Sequence, residues 1–369
     1  MTIGILKEPQ GENRVSALPE IASNFIKLNV NVCVEDNAGA SAFASNEDYT
    51  RIGAKIASRS EVIASSDLLL SIQQPTDSIA SKIILGVFQP LFNFQKVKDW
   101  ASQNNTVFSI DTIPRTTRAQ AMDVLSSQAN IAGYKAVLTA ATEYSRYFPM
   151  FMTAAGSIAP AKMLILGAGV AGLQAIATAK RLGAVVEVFD TRPAVKEEVQ
   201  SLGAKFVEVE GAADASAAGG YAVEQSEEYK QKQQQRIAES VAKADIIITT
   251  AQIPGKKAPI LLTDAMIHSM RNGSIIIDLA SATGGNTNFT KNNETIMVDG
   301  VKIIGNSNLA STMPSDASKM YGKNILNFLK LIIDKDGNLN LNFEDELVKE
   351  TCIAHGGKVT NERVAALLS

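Results

Sequence analysis

Short runs of apolar, mostly β-branched residues recur along the chain, and stretches of helical periodicity fall between them. In the first third the runs lie at residues 3–6, 30–34, 68–72, 83–89 and 107–110, with helical patterns at 20–28 and 94–103. Later runs lie at 162–166, 185–189, 246–249, 274–278 and 301–304. Continuous apolar strands alternating with helices are the pattern of parallel sheets covered on both faces.

Residues 119–147 differ from their surroundings. They hold one glycine and no proline, and apolar positions recur at Met122, Leu125, Ala129, Ala132 and Ala136. A single helix of that length spans roughly 40 Å, enough either to pass from one domain to another or to form a long core element in one. Pro149 is expected to stop it. Residues 208–228 are rich in Ala, Gly and Glu without periodicity, so they read as a mobile flap or as a plain loop. Tyr221, after Gly219-Gly220, is the large side chain a flap could lay over a ligand. A further helix at 317–334 leads to a polar tail expected to return to the first domain.

A length of 369 residues favours two domains over one core. A net charge of −3 gives no electrostatic reason to expect nucleic acid. Cys33 and Cys352 lie far apart and make no metal or redox spacing, which fits two free thiols in a reducing compartment. No stretch approaches about 20 uninterrupted apolar residues, and the start of the chain reads as a strand rather than a signal peptide. A cytoplasmic chain without a membrane span is expected, with no metal.

Chemistry enters at Gly167-Ala168-Gly169-Val170-Ala171-Gly172. Alone, such a pattern is weak, but here a strand feeds it, a helix follows, and a second strand ends in Asp190. Gly167 permits the turn, Gly169 lets backbone approach a pyrophosphate, and Gly172 lets helix pack on strand. Val170 opens the helix whose free amides face the phosphates. Asp190 would accept the adenosine ribose hydroxyls and disfavour a 2′-phosphate, so NAD is expected over NADP, although Arg192 could accommodate that phosphate. The fold class expected is α/β, with two Rossmann-like doubly wound parallel-sheet domains joined by long helices. The expected domains are 1–133 plus 314–369, and 134–313.

These residues, with Glu12-Asn13-Arg14-Val15-Ser16-Ala17-Leu18-Pro19-Glu20, residues 115–134, Ile253-Pro254-Gly255-Lys256-Lys257-Ala258-Pro259 and Asp278-Leu279-Ala280 before Gly284-Gly285, resemble the NAD(H)-binding component of proton-translocating transhydrogenases. The resemblance covers essentially the whole chain. It implies that Arg115, Gln120, Asp123 and Ser126 meet the nicotinamide end of the nucleotide. Taken alone, Arg115 and Arg118 could be solvated helix-start charges and Asp123 a surface acid. Thr191, Gly220, Gln233 and Gln252 complete the expected cofactor-binding set, and Gln252 stands where relatives more often carry an aliphatic residue.

Alanine dehydrogenase shares the framework, so fold alone does not separate the two activities. An amino-acid dehydrogenase needs a general base and a cation for the substrate carboxylate. By the resemblance, its lysine, histidine and aspartate fall at Gln73, near Gln95 and at Ala282. The two histidines, His268 and His355, read as surface or packing residues. The expectation is therefore direct hydride transfer between NADH on this chain and NADP+ on a partner, coupled by the whole complex to proton translocation. The partner would be membrane-embedded subunits that hold this chain peripherally at the inner membrane, and a homodimer is implied. The alternatives are an alanine dehydrogenase-type enzyme and a non-catalytic NAD sensor.

Overall fold

The computed structural model describes residues 1–209 and 226–368, without the side chains of residues 229 and 230. Most of the 208–228 segment, including Gly219, Gly220 and Tyr221, lies outside the described residues. The chain divides into two compact units: Met1–Gln128 with the residues from Ala310 onward, and Ala129–Leu309.

The sheet of the first unit runs in the order Lys55–Ala57, Asn31–Glu35, Thr2–Ile5, Leu68–Leu70, Ile83–Gly86, Thr106–Ser109, all parallel. Two late strands, Cys352–His355 and Lys358–Val359, extend it in antiparallel fashion beyond Thr106–Ser109. Successive residues serve opposite faces: Leu68, Leu70, Leu85 and Phe108 enter one cluster, and Leu69, Ile84 and Val107 the other. That is why these runs carry no polar alternation. Helix Pro314–Ile332 starts on a proline, whose missing N–H costs nothing there, and buries Tyr321, Ile325, Phe328, Leu329 and Ile332 in the first cluster.

In the second unit the order is Lys205–Phe206, Val185–Phe189, Lys162–Leu166, Ile246–Thr249, Ile275–Asp278, Val301–Gly305, again parallel, with Glu294–Val298 as an antiparallel edge. This is the 3-2-1-4-5-6 order of a doubly wound dinucleotide-binding sheet. Met163, Ile165, Ile246, Ile248, Ile275 and Ile277 pack on one face, and Leu164, Leu166, Ile247 and Ile276 on the other. Burying each such side chain contributes about 1.5–3 kcal/mol relative to leaving it in water. The chain reverses direction in the sheet between Lys162–Leu166 and Ile246–Thr249, the position where ligands bind in such folds.

Two expectations need correction. Residues 119–147 do not form one helix: a 3-10 segment, Thr117–Met122, is followed by Asp123 at φ −75° and ψ 88°, and the α-helix is Val124–Glu143. Asp123 restarts the backbone because its carboxylate accepts the N–H of Ser126 in the new first turn, at 2.9 Å. At the other end the helix stops at Glu143, ahead of Pro149, and a hairpin, Phe151–Thr153 with Gly156–Ile158, follows. Cys33 and Cys352 are buried free thiols. Among the described residues, no helix is long and apolar enough to cross a membrane.

Candidate functional site

The glycine turn leaves the strand Lys162–Leu166 and enters helix Val170–Arg181. Gly167 sits at φ +107°, a conformation in which a side chain is strained, and its N–H donates to the Phe189 carbonyl at 2.8 Å. At Gly172 an added Cβ would lie 1.9 Å from the Gly167 carbonyl oxygen, so helix and turn close on each other only without one. Gly169 differs, because a Cβ there would meet no protein atom within 4 Å. Internal packing therefore does not require this glycine, whereas close approach of a ligand to the backbone would. Gly169 is the helix N-cap and no side chain caps the helix start, so its first-turn amides and positive dipole end are presented to that open side.

Asp190 follows the neighbouring strand Val185–Phe189 and is buried. Its Oδ2 accepts the N–H of Ala168 at 2.7 Å, tying the acid to the glycine turn. Arg192 closes on the same carboxylate through Nε to Oδ1 at 2.9 Å and Nη2 to Oδ2 at 2.8 Å. That ion pair holds the guanidinium pKa above its ordinary value, hydrogen bonding being the main cause. Thr191 and the Arg192 side chain are half-buried, and Val170 is exposed at the helix start.

Three supports were not anticipated from sequence. Thr250, one residue past Ile246–Thr249, donates its hydroxyl to the carbonyls of Leu166 and Gly167 at 3.2 and 3.3 Å. Asn286 clamps the next residue, Ala251, by accepting its N–H at 3.1 Å and donating to its carbonyl at 2.9 Å. Buried Asp278 in turn accepts the Asn286 N–H at 2.6 Å. Gly133 lets helix Val124–Glu143 approach the turn, since a Cβ there would lie 2.1 Å from the Ala171 carbonyl oxygen. The paired threonines ending an apolar strand beside the glycine turn were the available signal for the first. Gln252 is exposed and donates to the Leu279 carbonyl at 2.8 Å; Gln233 lies half-buried in helix Glu227–Val241.

In the first unit, Arg115 is exposed just before the 3-10 segment and Gln120 is exposed within it. Asp123 and Ser126 are bonded to each other, hydroxyl to carboxylate, at 2.6 Å. The positions weighed for an amino-acid dehydrogenase hold no acid, base or cation: Gln73, Gln95 and Ala282 are all exposed. His355 pairs with Thr106 at 2.9 Å and His268 with Asp299 at 2.6 Å.

A buried polar cluster lies behind Gln73. Glu8 accepts the N–H groups of Ile72 and Gln73 at 2.6 and 2.9 Å, and burial pushes its pKa up to about 7 despite them. The Gln73 amide donates to Glu12 at 3.1 Å. Burial works to raise Glu12 as well, but the Arg14 fork, with contacts at 2.6 and 2.8 Å, holds it below the usual carboxylate range. Sequence reading singled out Glu12 and Arg14 only within a motif and missed Glu8.

Comparison with known proteins places these features in a family. The N-terminal domain model of Alanine dehydrogenase/PNT matches residues 4–132, and the C-terminal domain model matches residues 136–362. An NAD(P) transhydrogenase alpha subunit from Rickettsia prowazekii is 45% identical over 98% of this chain and 96% of its own. The crystal structure of transhydrogenase from Sinorhizobium meliloti superposes with a TM-score of 0.89 at 42% identity, covering 97% of this chain and 100% of that one. An L-alanine dehydrogenase structure shares the fold, with a TM-score of 0.79 at 22% identity over 100% and 99% of the two chains. With both domain models matched along its length and relatives this similar, the chain belongs to the Alanine dehydrogenase/PNT family.

Proposed function

We propose that this chain is the NAD(H)-binding subunit of an NAD(P) transhydrogenase, an oxidoreductase that passes hydride directly between NADH held here and NADP+ held on a partner subunit. The observation that carries the reading is a pairing of presence and replacement. A glycine turn, an unblocked helix start and a strand-end acid stand at the switch point of the second unit, while Gln73, Gln95 and Ala282 occupy the places of a dehydrogenase's proton-transfer and carboxylate-binding groups.

The residues fit a dinucleotide. The amides following Gly169 suit the pyrophosphate, and Asp190 suits the adenosine ribose. The bound nicotinamide supplies or takes the hydride, and no proton moves in that step. What the protein must do is align, hold and exclude water. Arg115, Gln120 and Asp123, with Ser126 locked to Asp123, are assigned to orienting the nicotinamide end, with no acid or base role. Thr191, Gly220, Gln233 and Gln252 are assigned to the cofactor.

Coupling to proton translocation is assigned to the whole complex, with membrane-embedded partner subunits carrying the NADP(H) site and this chain held peripherally on the cytoplasmic side of the inner membrane. A homodimer is proposed as well. The hairpin supports it, since Met150, Phe151 and Met152 are 62%, 43% and 73% exposed, an apolar surface that a second copy would cover.

Mixing the purified chain with the NADP(H)-binding component of a transhydrogenase tests the reading. NADH and an NADP+ analogue should then exchange hydride, and L-alanine with NAD+ should yield no NADH. Failure of exchange with retained NADH binding would favour a sensor, and alanine-dependent reduction would favour the dehydrogenase.

A further inference from the structure

Asp190 is the acid assigned to the ribose, yet its carboxylate is already occupied. A carboxylate offers about four lone-pair positions. Oδ1 accepts the Arg192 backbone N–H at 2.8 Å and Nε at 2.9 Å, and Oδ2 accepts the Ala168 N–H at 2.7 Å and Nη2 at 2.8 Å. Two of these donors are backbone, fixed by the glycine turn and by the strand end. The other two form the planar fork of one half-buried side chain, and they can leave together by rotation.

A ribose diol brings two hydroxyl donors of its own and needs those same two positions. We propose that the Arg192 side chain is a removable plug on the ribose-binding acid and the determinant of 2′-phosphate discrimination in this site. The inference rests on the assignment of Asp190 to the adenosine ribose. Two consequences follow from charge and geometry. NADH must displace the fork before its ribose can engage Asp190, so Arg192 competes with the unphosphorylated nucleotide. Arg192 also neutralises Asp190 and, once displaced, remains within side-chain reach of the 2′ position. It therefore offsets the repulsion that an isolated aspartate would exert on a 2′-phosphate.

The test uses the full chain with NADH and NADPH as fluorescent probes, comparing wild type with R192A, R192K and D190A. R192A should bind NADH more tightly and NADPH more weakly, so that the ratio of their dissociation constants widens by about tenfold, the scale of one charge-assisted contact. R192K, which keeps the charge without the fork, should gain NADH affinity while retaining more NADPH binding than R192A. Thermal melts of the variants should match wild type, because Arg192 is not in the core. An unchanged ratio in R192A, or equal weakening of both nucleotides, would overturn the plug and leave Arg192 as a brace for Asp190. If D190A binds NADH as well as wild type does, or wild type binds none, the ribose assignment itself fails, and the plug with it.

Discussion

The carbonyl oxygen of Gly167 lies 1.9 Å from where a Cβ on Gly172 would stand. Two glycines of one short motif thus depend on each other: the first turns the chain at positive φ, and the second makes room for the carbonyl that the turn presents. Gly172→Ala should push the helix off the strand. The expected cost is about 1–3 kcal/mol of stability, as for overpacking in a tight core, with at least a tenfold loss of NADH affinity. Chemical denaturation and NADH titration check both. A stable variant with normal affinity would mean that the turn relaxes freely.

Asp123 carries two separable roles. As a helix cap it bonds the Ser126 N–H, and Asn caps nearly as well as Asp. Asp123→Ala should therefore cost about 1 kcal/mol of stability, whereas Asp123→Asn should cost little. If the carboxylate charge orients the nicotinamide, Asp123→Asn will still slow hydride exchange in the mixing assay. Unimpaired exchange in Asp123→Asn would reduce Asp123 to a cap.

Glu8 predicts a pH dependence of stability. Its folded pKa of about 7 lies above the ordinary 4.5, chiefly through burial, so the folded chain binds the proton more tightly than the unfolded one. Stability is then highest on this account below the unfolded value and falls as pH rises from about 4.5 to 7, by on the order of 3 kcal/mol. Glu8→Gln should flatten that stretch of the curve. Comparing the two proteins at each pH separates Glu8 from Asp111, which burial also raises. Parallel curves would show that Glu8 titrates normally.

The hairpin makes a prediction about assembly. Met152→Asp places a charge on a short strand whose three residues are all exposed, so the fold should persist. Light scattering should report a dimer for wild type and a shift toward monomer for the variant. A variant as dimeric as wild type would place the interface elsewhere.

The strands were legible because both sheets are buried on both faces, and runs such as Ile246-Ile247-Ile248 admit no other reading. The glycine turn and Asp190 were legible because their chemistry is local. What escaped depends on partners distant in sequence. Arg192 was read as a complication, but its closure on Asp190 needs the Ala168 amide to be already in place. Thr250 and Asn286 act on residues brought near by the sheet order, and Glu8 is unusual only because Ile72 and Gln73 fold over it. The break at Asp123 was hidden because Thr117–Met122 keeps helix-like composition while the cap lies in a single side chain.

The late strand Cys352–His355 has a consequence for synthesis. Every strand of the second unit lies within one uninterrupted stretch, Ala129–Leu309, so that unit can finish folding on the ribosome while the first cannot. Until the late strand arrives, the edge of Thr106–Ser109 that it will cover is unpaired. Until helix Pro314–Ile332 arrives, Leu68, Leu70 and Phe108 lack their cover. A nascent chain stalled after residue 309 would carry a finished nucleotide-binding body tethered to a sticky, half-built one. The early segment is therefore where chaperones are expected to hold this protein.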